Sequence, residues 1–268
     1  MKLVERGYGR PRVTIVGGIH GDEPAGREVV ERLSHTLEIE DTGTVQLLVA
    51  NERALAVGKR YTETDLNRAF PGDERSDNYE DVLATRVRAV LDGADAVLAL
   101  HTSHSAPPPF AIFSELTESV RRTVTGLPVE YVVDSGDLRG TTLDSVQPHT
   151  VSIELGRQWS EDAAAFGYDA SLAFLRAHGI LTDREPTFTE TRVVKGHEEV
   201  PKGGGEPHVH YSNFEEIPVG KVFASDDVYT HRVEEEGVVP ILASERGYDD
   251  IFGIYGSFED PIQPPDAD

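Results

Sequence analysis

The sequence predicts an α/β domain on a largely parallel sheet, followed by a small all-β domain. Three observations lead there. Apolar runs of strand length alternate with amphipathic runs of helix length over the first two-thirds of the chain. Beyond about Leu181 only short alternating segments remain, separated by Gly, Pro, Asn and Asp. The 268 residues suffice for one large domain, or a medium one with an appendage. The boundary is set between a catalytic domain, residues 1–185, and a small β domain, residues 186–268.

The elements follow in order. R12-V-T-I-V-G reads as a buried strand. Pro24 to Leu33 reads as a helix with Val29, Val30 and Leu33 on one face, and Pro24 suits its first turn, where an N–H would lack a partner anyway. T44-V-Q-L-L-V-A is a second strand; N78-Y-E-D-V-L-A-T-R-V-R-A-V-L-D-G is a second helix, stopped by Gly93. D95-A-V-L-A-L-H, V129-E-Y-V-V-D and T150-V-S-I-E-L-G are further buried strands, and a long helix covers roughly Ser160 to His178. Uniformly apolar strands separated by helices imply a sheet covered on both faces. In the tail, R192-V-V-K, K221-V-F-A-S and V238-V-P-I-L are short strands, and K202-G-G-G-E-P is a mobile loop.

Composition narrows the function. Asp and Glu number 48 against 25 Lys and Arg, a net charge of -23. Such a chain repels nucleic acid and anionic membranes. Lysine occurs only at Lys2, Lys59, Lys195, Lys202 and Lys221. An acidic, lysine-poor surface suits a high-salt cytoplasm, where screening suppresses self-repulsion, so the acidity reads as halophilic adaptation. Cys 0 excludes disulfides, thiolate metal sites and cysteine nucleophiles. M-K-L-V-E-R-G-Y lacks an apolar signal core, and no run approaches membrane-spanning length. The expectation is a soluble cytoplasmic protein acting on a small molecule, with room for a homo-oligomer.

The segment I15-V-G-G-I-H-G-D-E-P carries the first chemistry. Gly17, Gly18 and Gly21 do not have the G-x-G-x-x-G spacing of a dinucleotide site, and Asp22 and Glu23 would repel a pyrophosphate at the helix start. His20 and Glu23 instead stand just past a strand's carboxyl end, where open α/β sheets place their sites. His101 ends another strand in the same way. Two histidines and a glutamate form the ligand set of a hydrolytic zinc site, with one position open for water.

Two more segments, N51-E-R-A-L-A-V-G-K-R-Y-T-E-T-D-L-N-R-A-F-P-G and V151-S-I-E-L-G, complete a pattern. With G-G-x-H-G-x-E and the strand-terminal L-H-T, it resembles the succinylglutamate desuccinylase/aspartoacylase family, relatives of the zinc carboxypeptidases, from about Val13 to Gly156. The resemblance implies a zinc-carboxypeptidase-like three-layer sandwich and one zinc ion per chain on His20, Glu23 and His101. That ion would acidify its water to about pKa 7 and polarise the substrate carbonyl. Glu154 becomes the carboxylate that takes the water's proton and delivers it to the leaving amine. Arg60 faces the developing oxyanion, Asn67 and Arg68 grip the substrate's α-carboxylate, and Asp65 accepts the free N–H of a zinc-binding histidine, His20 in the first instance. Arg53 braces the same loop. S244-E-R-G-Y-D resembles the segment that sends a tyrosine into the site, here Tyr248. His104, His197, His208 and His210 read as solvated loop residues.

Two departures qualify the match. The family's D-L-H triplet is Ala99-Leu100-His101 here, so support for that histidine comes from elsewhere or is absent. Where aspartoacylases bind a second substrate carboxylate with arginine, an ungapped alignment places Asp144, and a shifted one Arg139. The reaction class is therefore firmer than the substrate. It is removal of an N-acyl group from a small acylated amino acid or similar compound. A carboxypeptidase or an esterase of small acylated substrates shares the same residues, and a non-catalytic binding module would not need the full set.

Overall fold

The computed structural model describes residues 1–39, 43–105, 107–138 and 140–265. β1 (Lys2–Tyr8) and β2 (Arg12–Gly17) precede α1 (Pro24–Thr36) and β3 (Gly43–Val49). Then come α2 (Glu52–Val57), α3 (Leu66–Ala69), α4 (Tyr79–Leu91), β4 (Ala96–Ser103) and β5 (Phe110–Phe113). α5 (Glu118–Gly126), β6 (Tyr131–Asp134), α6 (Leu143–Val146), β7 (Thr150–Arg157) and α7 (Glu161–Ala177) follow. The tail holds β8 (Thr191–Pro201), β9 (His208–Val209), β10 (Val222–Ser225), β11 (Thr230–Arg232), β12 (Val238–Ile241) and β13 (Ile251–Ile262).

The large sheet runs in the order β1-β3-β2-β4-β7-β5-β6-β8-β13-β12. β3, β2, β4 and β7 are mutually parallel, as are β5, β6 and β8, while β5 runs against β7. The parallel strands are apolar on both faces because both are covered. Val29, Val30 and Leu33 of α1, Val120 and Val124 of α5, and Phe174 of α7 pack with Ile15, Leu98 and Ile153 on one side. Leu83, Val87 and Leu91 of α4 pack with Val16, Leu48 and Val97 on the other. Burial of these faces drives the assembly at about 25 cal/mol per Å² of apolar surface. Asn78 caps α4 by accepting from the N–H groups of Glu80 and Asp81, which sets where that helix starts.

The tail is all β, yet only β9, β10 and β11 form a separate sheet. β8 lies parallel to β6 and recruits β13 and β12, so the large sheet continues into the tail. The reason is that β6 would otherwise be an edge with unpaired N–H and C=O groups. Phe110, Val133, Val194, Ile241 and Ile254 form one cluster across this join, and a second cluster around Phe223 and Phe252 belongs to the tail. The glycine run after Lys202, expected to be a mobile loop, is fastened: Asp226 Oδ2 accepts from the N–H groups of Gly203 and Gly204.

Candidate active site

The carboxyl ends of β2, β4 and β7 meet at one cavity of about 70 Å³, lined among others by His20, Glu23, Arg60, Asn67, Arg68, His101, Asp144, Glu154 and Tyr248. The loop after β2 must reverse tightly to bring His20 and Glu23 there. Gly18 takes a φ of 66°, open to glycine at little cost. At Gly21 a Cβ would stand 2.0 Å from the carbonyl carbon of Ala54, so only glycine lets the loop lie against α2. The Gly21 N–H donates to the Arg60 carbonyl at 3.2 Å. His20 and Glu23 are thereby held in a buried wall.

One donor atom from each of His20, Glu23 and His101 lies within 4.8 Å of the others. Glu23 accepts from both imidazoles at its two oxygens: His20 Nδ1 at 2.8 Å and His101 Nδ1 at 3.2 Å. Thr102 N–H also donates to Glu23 Oε2 at 3.1 Å. His20 Nε2 meets Asp65 Oδ1 at 3.1 Å, so Asp65 fixes the ring and leaves Nδ1 toward the centre. Asp65 also caps α3 through Asn67 N–H. Burial and Arg60 work against a charge on His20, but Glu23 and Asp65 outweigh them and raise its pKa to about 9. Burial would raise Glu23 and Asp65, yet the imidazoles, with Arg60 beside Asp65, hold both well below the carboxylate range. Two nitrogens and one ionised carboxylate match zinc's usual donors, and a proton shared between such groups exchanges readily for a cation. The donor set fits the ion.

His101 and Glu154 are register partners on the parallel strands β4 and β7, so their side chains leave the sheet on the same face. Three buried atoms of the cavity wall have no hydrogen-bond partner among the described residues: His101 Nε2, Thr102 Oγ1 and Glu154 Oε2. With Ala99 in place of an acid two residues before it, His101 gains no second bond from the protein. Burial, with the charge of Glu23, raises Glu154 to about 7 against the pull of His101.

Arg60 is anchored by carboxylates, Nε on Asp65 at 2.9 Å and Nη1 on Glu23 at 3.4 Å. The loop carrying it hangs on a residue that motif reading passed over. Glu80, fully buried on α4, accepts from Asn51 Nδ2, Thr62 N and Oγ1, Glu63 N and Thr64 N at 2.7 to 3.3 Å. Although burial opposes it, these bonds keep its carboxyl below the usual range. A glutamate in a helix's first turn looks like ordinary capping charge; a second clue lay in its neighbour Asn78, which already does the capping.

Asn67 Oδ1 accepts from Leu143 N at 2.9 Å, which ties the loop to α6 and directs Nδ2 elsewhere. Tyr248 reaches the cavity from the loop between β12 and β13, and Lys202 Nζ donates to its backbone carbonyl. Arg53 does not reach the cavity; its guanidinium sits 4.0 Å from the Tyr79 ring centroid. Of the four histidines read as solvated loop residues, His104 stands on the cavity rim, while His197 and His208 lie on β8 and β9 because alternating tail strands expose every second side chain. His210 follows β9 directly. Asp144 is in the cavity wall; Arg139 lies outside the described residues. No helix among the described residues is long and apolar enough to cross a membrane.

Comparison with known proteins finds relatives of this chain. The model of the succinylglutamate desuccinylase/aspartoacylase catalytic domain matches residues 9–177. A probable aspartoacylase from a Nostoc species is 34% identical over 103 residues, 34% of this chain and 35% of the relative. The N-alpha-acetyl-L-2,4-diaminobutyric acid deacetylase of Halomonas elongata is 34% identical over 133 residues, 46% of this chain and 39% of the relative. The chain thus spans little more than a third of the length of these two. The crystal structure of a succinylglutamate desuccinylase/aspartoacylase from Rhodobacter sphaeroides superposes with a TM-score of 0.75 at 22% identity, covering 96% of this chain and 88% of that one. At that identity the likeness concerns the fold.

Proposed function

The chain belongs to the succinylglutamate desuccinylase/aspartoacylase family, and on that premise we propose a zinc-dependent hydrolase that splits a small N-acyl amino acid, or a similar compound, into a carboxylate and an amine. The observation that carries this reading is the convergence of His20, Glu23 and His101 donor atoms within 4.8 Å, with Glu154 next to His101 across the strands. Zinc held there would polarise the acyl carbonyl and lower the pKa of a water to about 7.

The remaining work falls to this chain's own side chains. Glu154 takes the proton as the water oxygen attacks the carbonyl carbon. When the C–N bond breaks, it returns that proton to the nitrogen, which leaves as the amine. Burial raises this carboxyl and a neighbouring cation would restrain the rise, a balance that suits a group that must both accept and donate a proton. Arg60, held by two carboxylates, presents its remaining N–H groups to the charge that develops on the carbonyl oxygen. Asn67 and Arg68 bind the substrate's α-carboxylate, and Tyr248 closes the cavity from the tail. Tail residues in the cavity wall narrow its entrance against a polypeptide.

Amine release from a panel of N-acyl amino acids tests the proposal. Activity should vanish on chelation, return with zinc, and be lost in His20→Ala. Hydrolysis of dipeptides with no N-acyl substrate cleaved would point to a carboxypeptidase instead. Full activity after complete chelation would refute the zinc reading.

A further inference from the structure

Tyr248 is carried by residues 242–250, which run from β12 to β13 without helix or strand. Ser244, Gly247 and Tyr248 of this loop line the cavity. The base of the loop is fastened locally. Ser244 N–H donates to the Phe252 carbonyl at 2.9 Å, and Ser244 Oγ accepts from the N–H groups of Arg246 and Gly247 at 3.2 and 2.9 Å. These bonds stop at Gly247, one residue short of the tyrosine.

Lys202 supplies a hold beyond them. Its Nζ donates to the carbonyl of Glu245 at 2.9 Å and to the carbonyl of Tyr248, and it stands 5.6 Å from the centroid of the Phe252 ring. The carboxylates of Asp249, Asp250 and Asp226 act on the ammonium through space, yet these two bonds go to backbone oxygens. A compact ammonium with three rotatable donors suits two separate carbonyls, whereas the planar fork of arginine suits a carboxylate. That explains a lysine here in a chain that uses so little of it. The clasp also works from a fixed base. Lys202 N–H donates to the Asp250 carbonyl at 2.7 Å, and the next two N–H groups, of Gly203 and Gly204, donate to Asp226.

We propose that Lys202 is a positioning residue: its ammonium clasps the loop between β12 and β13 and fixes where Tyr248 meets the substrate. The inference rests on the hydrolase reading above, in which Tyr248 touches the substrate, and it names the residue through which the tail controls binding. His20, Glu23, His101, Arg60 and Glu154 stand on other elements, so loss of the clasp weakens binding and leaves the chemical step in place.

Lys202→Met keeps the methylenes and removes the donors. Hydrogen exchange read by mass spectrometry should show the amides of residues 244–250 exchanging at least about tenfold faster, the scale of a hydrogen bond to a charged group, in a variant whose circular dichroism matches the native protein. Lys202→Ala is read in the same way should the methionine variant misfold. Exchange at the native rate overturns the clasp. With an N-acyl amino acid that the native protein cleaves, KM should rise by about tenfold while kcat stays within about threefold. A fall in kcat at native KM overturns the proposal. A double-mutant cycle separates positioning from general loosening. Tyr248→Ala alone should raise KM, and adding Lys202→Met should raise it by less than about twofold more. A full further increase in the double variant overturns action through Tyr248. Faster exchange with no acyl substrate hydrolysed would keep the clasp and discard the hydrolase. Hydrolysis with native exchange in the variant would do the reverse.

Discussion

The loop after β2 and the paired ends of β4 and β7 face each other across the cavity, and they are built on different principles. In the first wall the charged groups around the cavity are tied to one another. His20 is held between Glu23 and Asp65, Arg60 between the same two acids, and Glu80 secures the loop behind them. Among the described residues, the second wall leaves His101 Nε2 and Glu154 Oε2 buried without a hydrogen-bond partner, and the Asp144 carboxylate accepts from Ser114 and Ser152. Preorganised positive groups and ligand orientation belong to the first wall. The atoms that must change partners during a reaction belong to the second. A protein can lock what only has to hold position, but a group that gives and takes a proton must keep a lone pair free.

That contrast can be broken by substitution. The largest effect is expected for Glu154→Gln, which keeps the shape and removes the base. Its kcat should drop by about 10²–10⁴-fold while zinc content stays at the native level. Loss of zinc together with activity would mean that Glu154 also holds the ion in place.

Across the cavity, Asp65→Asn should act on metal affinity instead. Competition with a chelator should show zinc bound about 10–100-fold more weakly, because His20 loses the acid that orients it. Equal affinity would show that the first wall is less preorganised than its bonds suggest.

Behind that wall, Glu80→Gln exchanges an acceptor of five hydrogen bonds for an amide that satisfies fewer of them. Unfolding in urea should reveal a loss of about 1–3 kcal/mol, and KM should rise as the Arg60 loop loosens. A stability change with no kinetic change would assign Glu80 to the scaffold alone.

A pH effect without consequence for the chemistry lies outside both walls. His178 is buried against Phe174 and Thr123; burial, with Arg122 nearby, lowers its pKa from 6.5 to about 4. Between those values the unfolded chain binds a proton that the folded chain refuses. The stabilisation is therefore complete above pH 6.5 and is lost as pH falls toward 4, by at most about 3 kcal/mol. His178→Gln should flatten that part of the stability profile; an unaltered slope would locate the acid sensitivity in the cavity walls.

How much of this could be read from the chain alone differs between the same regions. β2, β4 and β7 are buried on both faces, so they stand out as apolar runs, and the polar residues at their ends mark the site. For His101, no hydrogen-bond partner of Nε2 is found among the described residues. Glu80 escaped notice because its partners lie 16 to 29 residues away and its type is ordinary for a helix start. The pairing of β8 with β13 was equally hidden, since strands joined across some fifty residues leave no local signal. The tail therefore looked like an independent β unit, although β8, β13 and β12 continue the sheet. Arg53, read as a brace of the site loop, stacks on the Tyr79 ring and is absent from the cavity lining.

Zinc stoichiometry measured by native mass spectrometry bears most directly on the convergence of His20, Glu23 and His101. One zinc per chain is expected in the native protein and in Glu154→Gln, and none in Glu23→Ala or His101→Ala. Zinc retained at one per chain in both ligand variants would contradict the account.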